Sequence, residues 1–309
     1  MNLPKILSET PHYVGLCDQL NGRVIIRDLG NPDWNDKTSI LWEYRHDTQG
    51  HENYGWIAGL KFRRSDYYGE DVALISGQPR KAYIISMKTK KILLTANEAG
   101  CNPHTSELLP DGTLIVGSSN DGRVSIYPPG KSEAAYTLQL AGDDRGVPDV
   151  HGILWDPKYN LLWVEGGQKL RSFRVEGSET SPSLTPVGEY TAPKGGMHDM
   201  APFYGDPDSL LISAIGGIVR FHKKTETFSY DYPCKDASAT DLGCCTGFGL
   251  FADGVLPIIA AGKSDGVYQY WNADTIFICV TDEKETKVLT HKVADDAYYK
   301  LRIFDTRYQ

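Results

Sequence analysis

The sequence predicts an all-β protein, a single β-propeller of six blades with four antiparallel strands each. Three observations lead there: a motif recurs at fixed spacing, short apolar strands separated by turn-formers follow each copy, and no segment carries the apolar period of a helix. Histidines set the spacing, since His104, His151 and His198 follow one another at intervals of 47 residues. A propeller blade takes about 40–45 residues as four short strands, so one interval has the length of one blade.

Each histidine opens a unit. After His104 come strands at Leu114 to Gly117 and Arg123 to Tyr127, with an outer one at Tyr136 to Leu140. His151 is followed by Leu161 to Glu165, Lys169 to Arg174 and Val187 to Thr191; His198 by Leu210 to Ala214, Gly217 to His222 and Thr227 to Tyr232. The sequences Pro110-Asp111-Gly112, Asn120-Asp121-Gly122 and Asp206-Pro207-Asp208 close tight hairpins between them. Further out, Gly55 to Phe62, Val72 to Ser76, Ala82 to Met87 and Ile92 to Ala96 form an earlier blade, and Lys235 to about His291 a later, irregular one. The chain ends complete each other: Tyr13 to Cys17, Val24 to Asp28 and Ile40 to Tyr44 lack an inner strand, which Tyr298 to Asp305 supplies, closing the ring. A seventh, degenerate blade inside 235–297 is the alternative count. The repeats run through residues 1–309 as one domain, leaving no room for the alternating strands and helices of a TIM barrel or Rossmann fold.

Composition narrows the partners. With 32 basic and 40 acidic residues the formal charge is −8, which speaks against nucleic acid and anionic membranes. No apolar run is long enough to span a bilayer, and the N-terminal stretch lacks the apolar core of an export signal. The six cysteines show no CxxC spacing, and the adjacent Cys244 and Cys245 make a poor disulfide, so reduced thiols and a cytoplasmic location are expected.

In a propeller the first strand of each blade lines the central channel, so His104, His151 and His198 are expected to converge. The same register offers Trp56, while Lys235 and Tyr299 or Lys300 are the contributions expected from the remaining blades. Glu107 and Asp199 are the acidic companions and, with Trp56, the candidate substrate contacts. Three neutral imidazoles can ligate one divalent metal, zinc, manganese or iron, and leave positions open. They can equally act as metal-free proton-transfer groups or as structural ties between strands, and the residues alone leave these three readings side by side. The remaining histidines, His12, His46, His51, His222 and His291, fall outside the register and read as surface residues. Trp34, Trp42, Trp155, Trp163 and Trp271 read as packing between blades. Gly195-Gly196 and Gly216-Gly217 lack the strand-to-helix setting of a phosphate loop, so no nucleotide cofactor is expected.

The segment from Asn102-Pro103-His104 through Glu107-Leu108-Leu109-Pro110-Asp111-Gly112 joins Val150-His151-Gly152, Gly196-Met197-His198-Asp199-Met200 and Trp271-Asn272-Ala273-Asp274-Thr275-Ile276, with Tyr299-Lys300 near the end. Together these resemble a family of propeller proteins of unassigned function from bacteria and fungi. More loosely, channel histidines on a propeller resemble those of polysaccharide lyases acting on uronic-acid polymers. That second resemblance implies a carbohydrate-active lyase that cleaves a uronate-containing oligosaccharide by β-elimination. A cation near the carboxylate would acidify the α-proton, a base would remove it, and an acid would protonate the leaving oxygen. Lys235, Lys300 or a histidine-bound metal would serve as the cation, a histidine as base, and Tyr299 or a second histidine as acid. A histidine-ligated isomerase, hydrolase or oxygenase and a non-catalytic propeller binding sugar or protein are the alternatives.

Overall fold

The computed structural model describes residues 4–45, 57–142, 149–193, 195–214, 217–231, 244–261, 271–281 and 286–308. It shows an all-β protein of the β-propeller class, with six blades, each a four-stranded antiparallel sheet. Among the described residues the only helical pieces are α1 (Lys5–Glu9) and one 3-10 turn at Lys37–Ser39. Among the described residues, the region expected to hold either one blade or two gives a single sheet.

The chain divides into two compact units, residues 1–50 with 201–304 and residues 51–200 with 305–309. In the first unit, β1 (Tyr13–Asp18), β2 (Arg23–Asp28) and β3 (Ile40–Arg45) form one blade. Its fourth strand is the last of the chain, β24 (Tyr298–Ile303), paired with β1 through Val14 opposite Ile303 and Leu16 opposite Leu301. The expected pairing of the two chain ends is therefore present.

The second unit holds three blades in chain order. They are β4 (Ile57–Ser65), β5 (Glu70–Gly77), β6 (Lys81–Ser86) and β7 (Ile92–Ala96); then β8 (Pro103–Leu108), β9 (Leu114–Ser118), β10 (Arg123–Tyr127) and β11 (Tyr136–Gln139); then β12 (Val150–Asp156), β13 (Leu161–Gly166), β14 (Lys169–Ser178) and β15 (Ser181–Thr191). The first unit is completed by β16 (Asp199–Pro202), β17 (Ser209–Ala214), β18 (Gly217–His222) and β19 (Thr227–Ser229), and by β20 (Cys244–Phe248), β21 (Leu256–Ala261), β22 (Thr275–Thr281) and β23 (Thr286–Lys292). Asp199 and Met200, at the start of β16, count with the second unit.

Burial along these strands follows their place in the blade. The outer strand β11 alternates between half-buried and exposed, the period-2 pattern of a strand with one wet face. Every residue of the first strands β8 and β12 is buried. A strand buried on both faces ordinarily reads as an apolar run, yet β8 carries His104, Thr105, Ser106 and Glu107 in succession.

Two of those polar side chains have a structural reason. Both β8 and β12 are edge strands of their own sheets, and a buried edge leaves backbone donors that need partners. The N–H of Ile153 donates to Oγ1 of Thr105 at 3.3 Å, and that of Trp155 to Oε2 of Glu107 at 3.3 Å. Alternate residues of β8 thus supply the acceptors that a neighbouring strand would otherwise provide. Apolar packing between these sheets comes from Ile115, Val124, Val150, Ile153, Leu162 and Val164, all fully buried.

Candidate functional site

His104, His151 and His198 reach one place by a shared backbone device. Two residues ahead of each stands a left-handed residue: Asn102 at φ 67°, Asp149 at φ 26° and Gly196 at φ 65°. Asparagine, aspartate and glycine are the residues that tolerate this conformation, the first two because short polar side chains bond locally. Asn102 is further held by a bond from its Nδ2 to Oγ of Ser119, 17 residues along the chain, at 2.9 Å. One residue further, Pro103 and Val150 enter their strands, and then the register slips. Pro103 pairs with Ser118 and Thr105 with Gly117; Val150 pairs with Gly166 and Gly152 with Glu165. His104 and His151 are thus the extra residues of two β-bulges, which turn a side chain out of the strand's alternation. Ala58 of β4 occupies the equivalent bulge in the preceding blade, and Thr246 that of β20 in the first unit. His198 lies between the isolated bridge made by Met197 to Gly167 and the first residue of β16.

The three rings are in mutual contact. Ring centres lie 4.1 Å apart for His104 and His151, 4.5 Å for His151 and His198, and 5.6 Å for His104 and His198. His104 is 4% exposed, His151 9%, and His198 half-buried, so the cluster is largely withdrawn from water. Oδ1 of Asp149 lies 3.0 Å from Nδ1 of His151, at ion-pair distance though not aligned as a hydrogen bond. Three imidazoles on a common ion, with metal–nitrogen bonds of about 2.1 Å, would have ring centres about 4.6–5.3 Å apart. The observed spacings straddle that range. Among the described residues no three His, Cys, Asp or Glu side chains are placed to hold a metal as they stand, so the rings would have to turn to share one ion.

Of the two acidic companions, Glu107 is fully buried and heavily engaged. Nε of Arg63 donates to its Oε1 at 2.7 Å and Nη2 to its Oε2 at 2.8 Å, while Nζ of Lys61 approaches Oε2 at 3.2 Å and also donates to the carbonyl of Ile153. Burial alone would raise the Glu107 pKa, but Arg63 and Lys61 outweigh it and hold the carboxyl below its ordinary value. The result is a tie among β4, β8 and β12. Asp199, also fully buried, accepts from the N–H of Met200 at 3.0 Å.

Tyr299 and Lys300 are buried on β24 in the first unit, with Nζ of Lys300 5.4 Å from the centre of the Tyr299 ring. Trp56 and Lys235 lie outside the described residues. Two histidines expected on the surface are buried instead. His12 is 1% exposed, with Nδ1 2.7 Å from the Thr10 carbonyl and Nε2 2.8 Å from Oδ2 of Asp253. His291 stacks on Trp34 with ring centres 4.4 Å apart and an interplanar angle of 4°. Both serve loops whose packing leaves no periodic trace. His46 and His51 are outside the described residues.

Sequence reasoning missed Lys61, Arg63, Asp149 and Glu165. For Lys61 and Arg63 a signal existed, because two cations alternate within the apolar segment Ile57–Ser65, where a half-wet strand would expose them.

The fold is shared with solved structures. A protein of unknown function from Bacteroides caccae superposes with a TM-score of 0.61 at 15% identity, over 94% of this chain and 98% of that one. The WD40 β-propeller domain of Doa1 does so with a TM-score of 0.58 at 12% identity, over 95% and 83%. No curated protein matches the chain. At sequence level, residues 66–245, which include all three clustered histidines, match one family model, and the chain belongs to that family of unknown function, DUF6528.

Proposed function

We propose that His104, His151 and His198 form the working site of this protein, a three-imidazole centre that takes one divalent metal ion and, at its open positions, the carboxylate of a uronate-containing oligosaccharide. The observation that carries the reading is the contact of three rings, 4.1–5.6 Å between centres, delivered from successive blades by the same left-handed turn. Asp149 beside Nδ1 of His151 supports it, since a carboxylate behind a ligating imidazole orients the ring and raises its basicity. The reaction assigned to the site is β-elimination. A base takes the proton α to the carboxylate, the C–H pair becomes the new C=C bond, and the bond to the glycosidic oxygen breaks as that oxygen gains a proton.

Protein purified without chelator tests this by elemental analysis, thermal unfolding and a screen of uronate oligosaccharides for the absorbance of an unsaturated product. About one metal per chain is expected. Each single His→Ala variant should lose most metal and turnover while staying folded. Unchanged metal content, binding and turnover, with lowered stability alone, would show that the cluster is a structural tie.

A second reading follows from the absence, among the described residues, of a ready-made metal arrangement. In it the imidazoles hold the substrate carboxylate directly, through ring N–H groups. The same variants would then weaken uronate binding in metal-free protein.

A further inference from the structure

A buried carboxylate that no sequence pattern singled out lies beside this centre. Glu165, on β13, is fully buried and pairs in register with Gly152, the residue that follows the bulged His151. Gly152 has no side chain, and that gap is where the glutamate goes. A Cβ added at Gly152 would lie 2.6 Å from Oε1 of Glu165, 2.8 Å from its Cγ and 2.9 Å from Cβ of Met200. The side chain of Glu165 therefore crosses β12, the edge strand that carries His151, on the side where Met200, two residues after His198, lies.

The same position in the other two blades of this unit carries no charge. The residue after the bulge is Gly59 in β4 and Thr105 in β8, and their register partners are Ser76 and Gly117. A Cβ on Gly117 would meet Val150 and Ile153, so apolar side chains fill the equivalent space there. Only beside His151 does the repeat place a carboxylate across the edge strand, and only there, among these three, does a second carboxylate, Asp149, stand ahead of the bulge. Neutral imidazoles bring no charge to a site largely withdrawn from water, and a dication there requires anionic compensation.

From this placement we infer that Glu165 is the charge-setting carboxylate of the three-histidine centre, the group that makes it a site for a divalent cation. The inference rests on the metal reading proposed above. Glu165 acts as a positioning residue behind the ligand strands, and Gly152 is present because any larger residue would displace it.

The test measures Zn2+ affinity by competition with a chromophoric chelator, and the visible spectrum of the Co2+-loaded protein, for the full chain and four variants. Glu165→Gln should weaken Zn2+ binding by about 10- to 100-fold and shift the Co2+ bands. Gly152→Ala, which leaves the carboxylate intact but fills its cradle, should do the same, and keeps the test open if Glu165→Gln folds poorly. Glu189→Gln, on the same blade at a half-exposed side chain, should change neither reading. If Glu165→Gln and Gly152→Ala bind Zn2+ like the parent while His104→Ala does not, the assignment of Glu165 is wrong and the centre survives. If the parent itself binds no divalent metal, the centre and this inference fall together.

Discussion

Asn102 decides how His104 is aimed. At φ 67° it sits where a β-branched residue is strained, at a cost of roughly 1–2 kcal/mol. Asn102→Val should therefore lower stability by about that amount and disturb the histidine cluster, whereas Asn102→Gly should cost little. Urea unfolding of the pair measures the difference. His291 gives a second reading at this scale. Burial, aided by the charge of Arg27, lowers its pKa below the ordinary 6.5, so the folded state holds fewer protons than the unfolded one as pH falls. Its contribution is complete above pH 6.5 and is lost as pH drops below it toward the folded value. His291→Phe keeps a ring on Trp34 and cannot titrate, so its stability profile should lack that acid limb; an identical profile would remove His291 as the cause. The histidine spacing was legible because it equals the blade length. The Lys61–Glu107–Arg63 tie was not, because its members are 44 and 46 residues apart and meet only when two blades pack.

For an element, the informative feature is the buried edge of β12, whose N–H groups at Ile153 and Trp155 bond to side chains of β8. Thr105→Val keeps the shape and removes the acceptor, leaving a buried donor unmade at about 1–3 kcal/mol. Ser106→Ala is the matched control, because Oγ of Ser106 is buried without a hydrogen-bond partner. It should be neutral or stabilising, and thermal unfolding that ranks the two the other way would contradict this account of the edge. Strand positions and blade count were readable from turn chemistry and period, since both are local. The placement of Glu165 was not, because it depends on the one-residue slip at His151 that brings Glu165 opposite Gly152. A bulge leaves no mark in composition. At His104 and His151 it has a trace, the left-handed residues Asn102 and Asp149 two places ahead, which become visible once the copies are aligned on their histidines.

At the scale of the whole molecule, one blade is assembled from both ends of the chain. Removing residues 298–309 takes away β24 and leaves β1 with an unpaired edge, so the truncated protein should fail to form a soluble monomer in size exclusion and lose its cooperative unfolding transition. A folded, monomeric truncation would refute this. The same pairing has a consequence for biosynthesis. The strand Tyr13–Asp18 leaves the ribosome well before its partner Tyr298–Ile303, with the five other blades made in between. At roughly 5–20 residues per second, the nascent β1 waits about 15–60 s with a hydrogen-bonding edge open, whatever the later blades have achieved meanwhile. A stop codon anywhere ahead of Tyr298 therefore releases a product whose open edge lies far upstream, at Tyr13–Asp18.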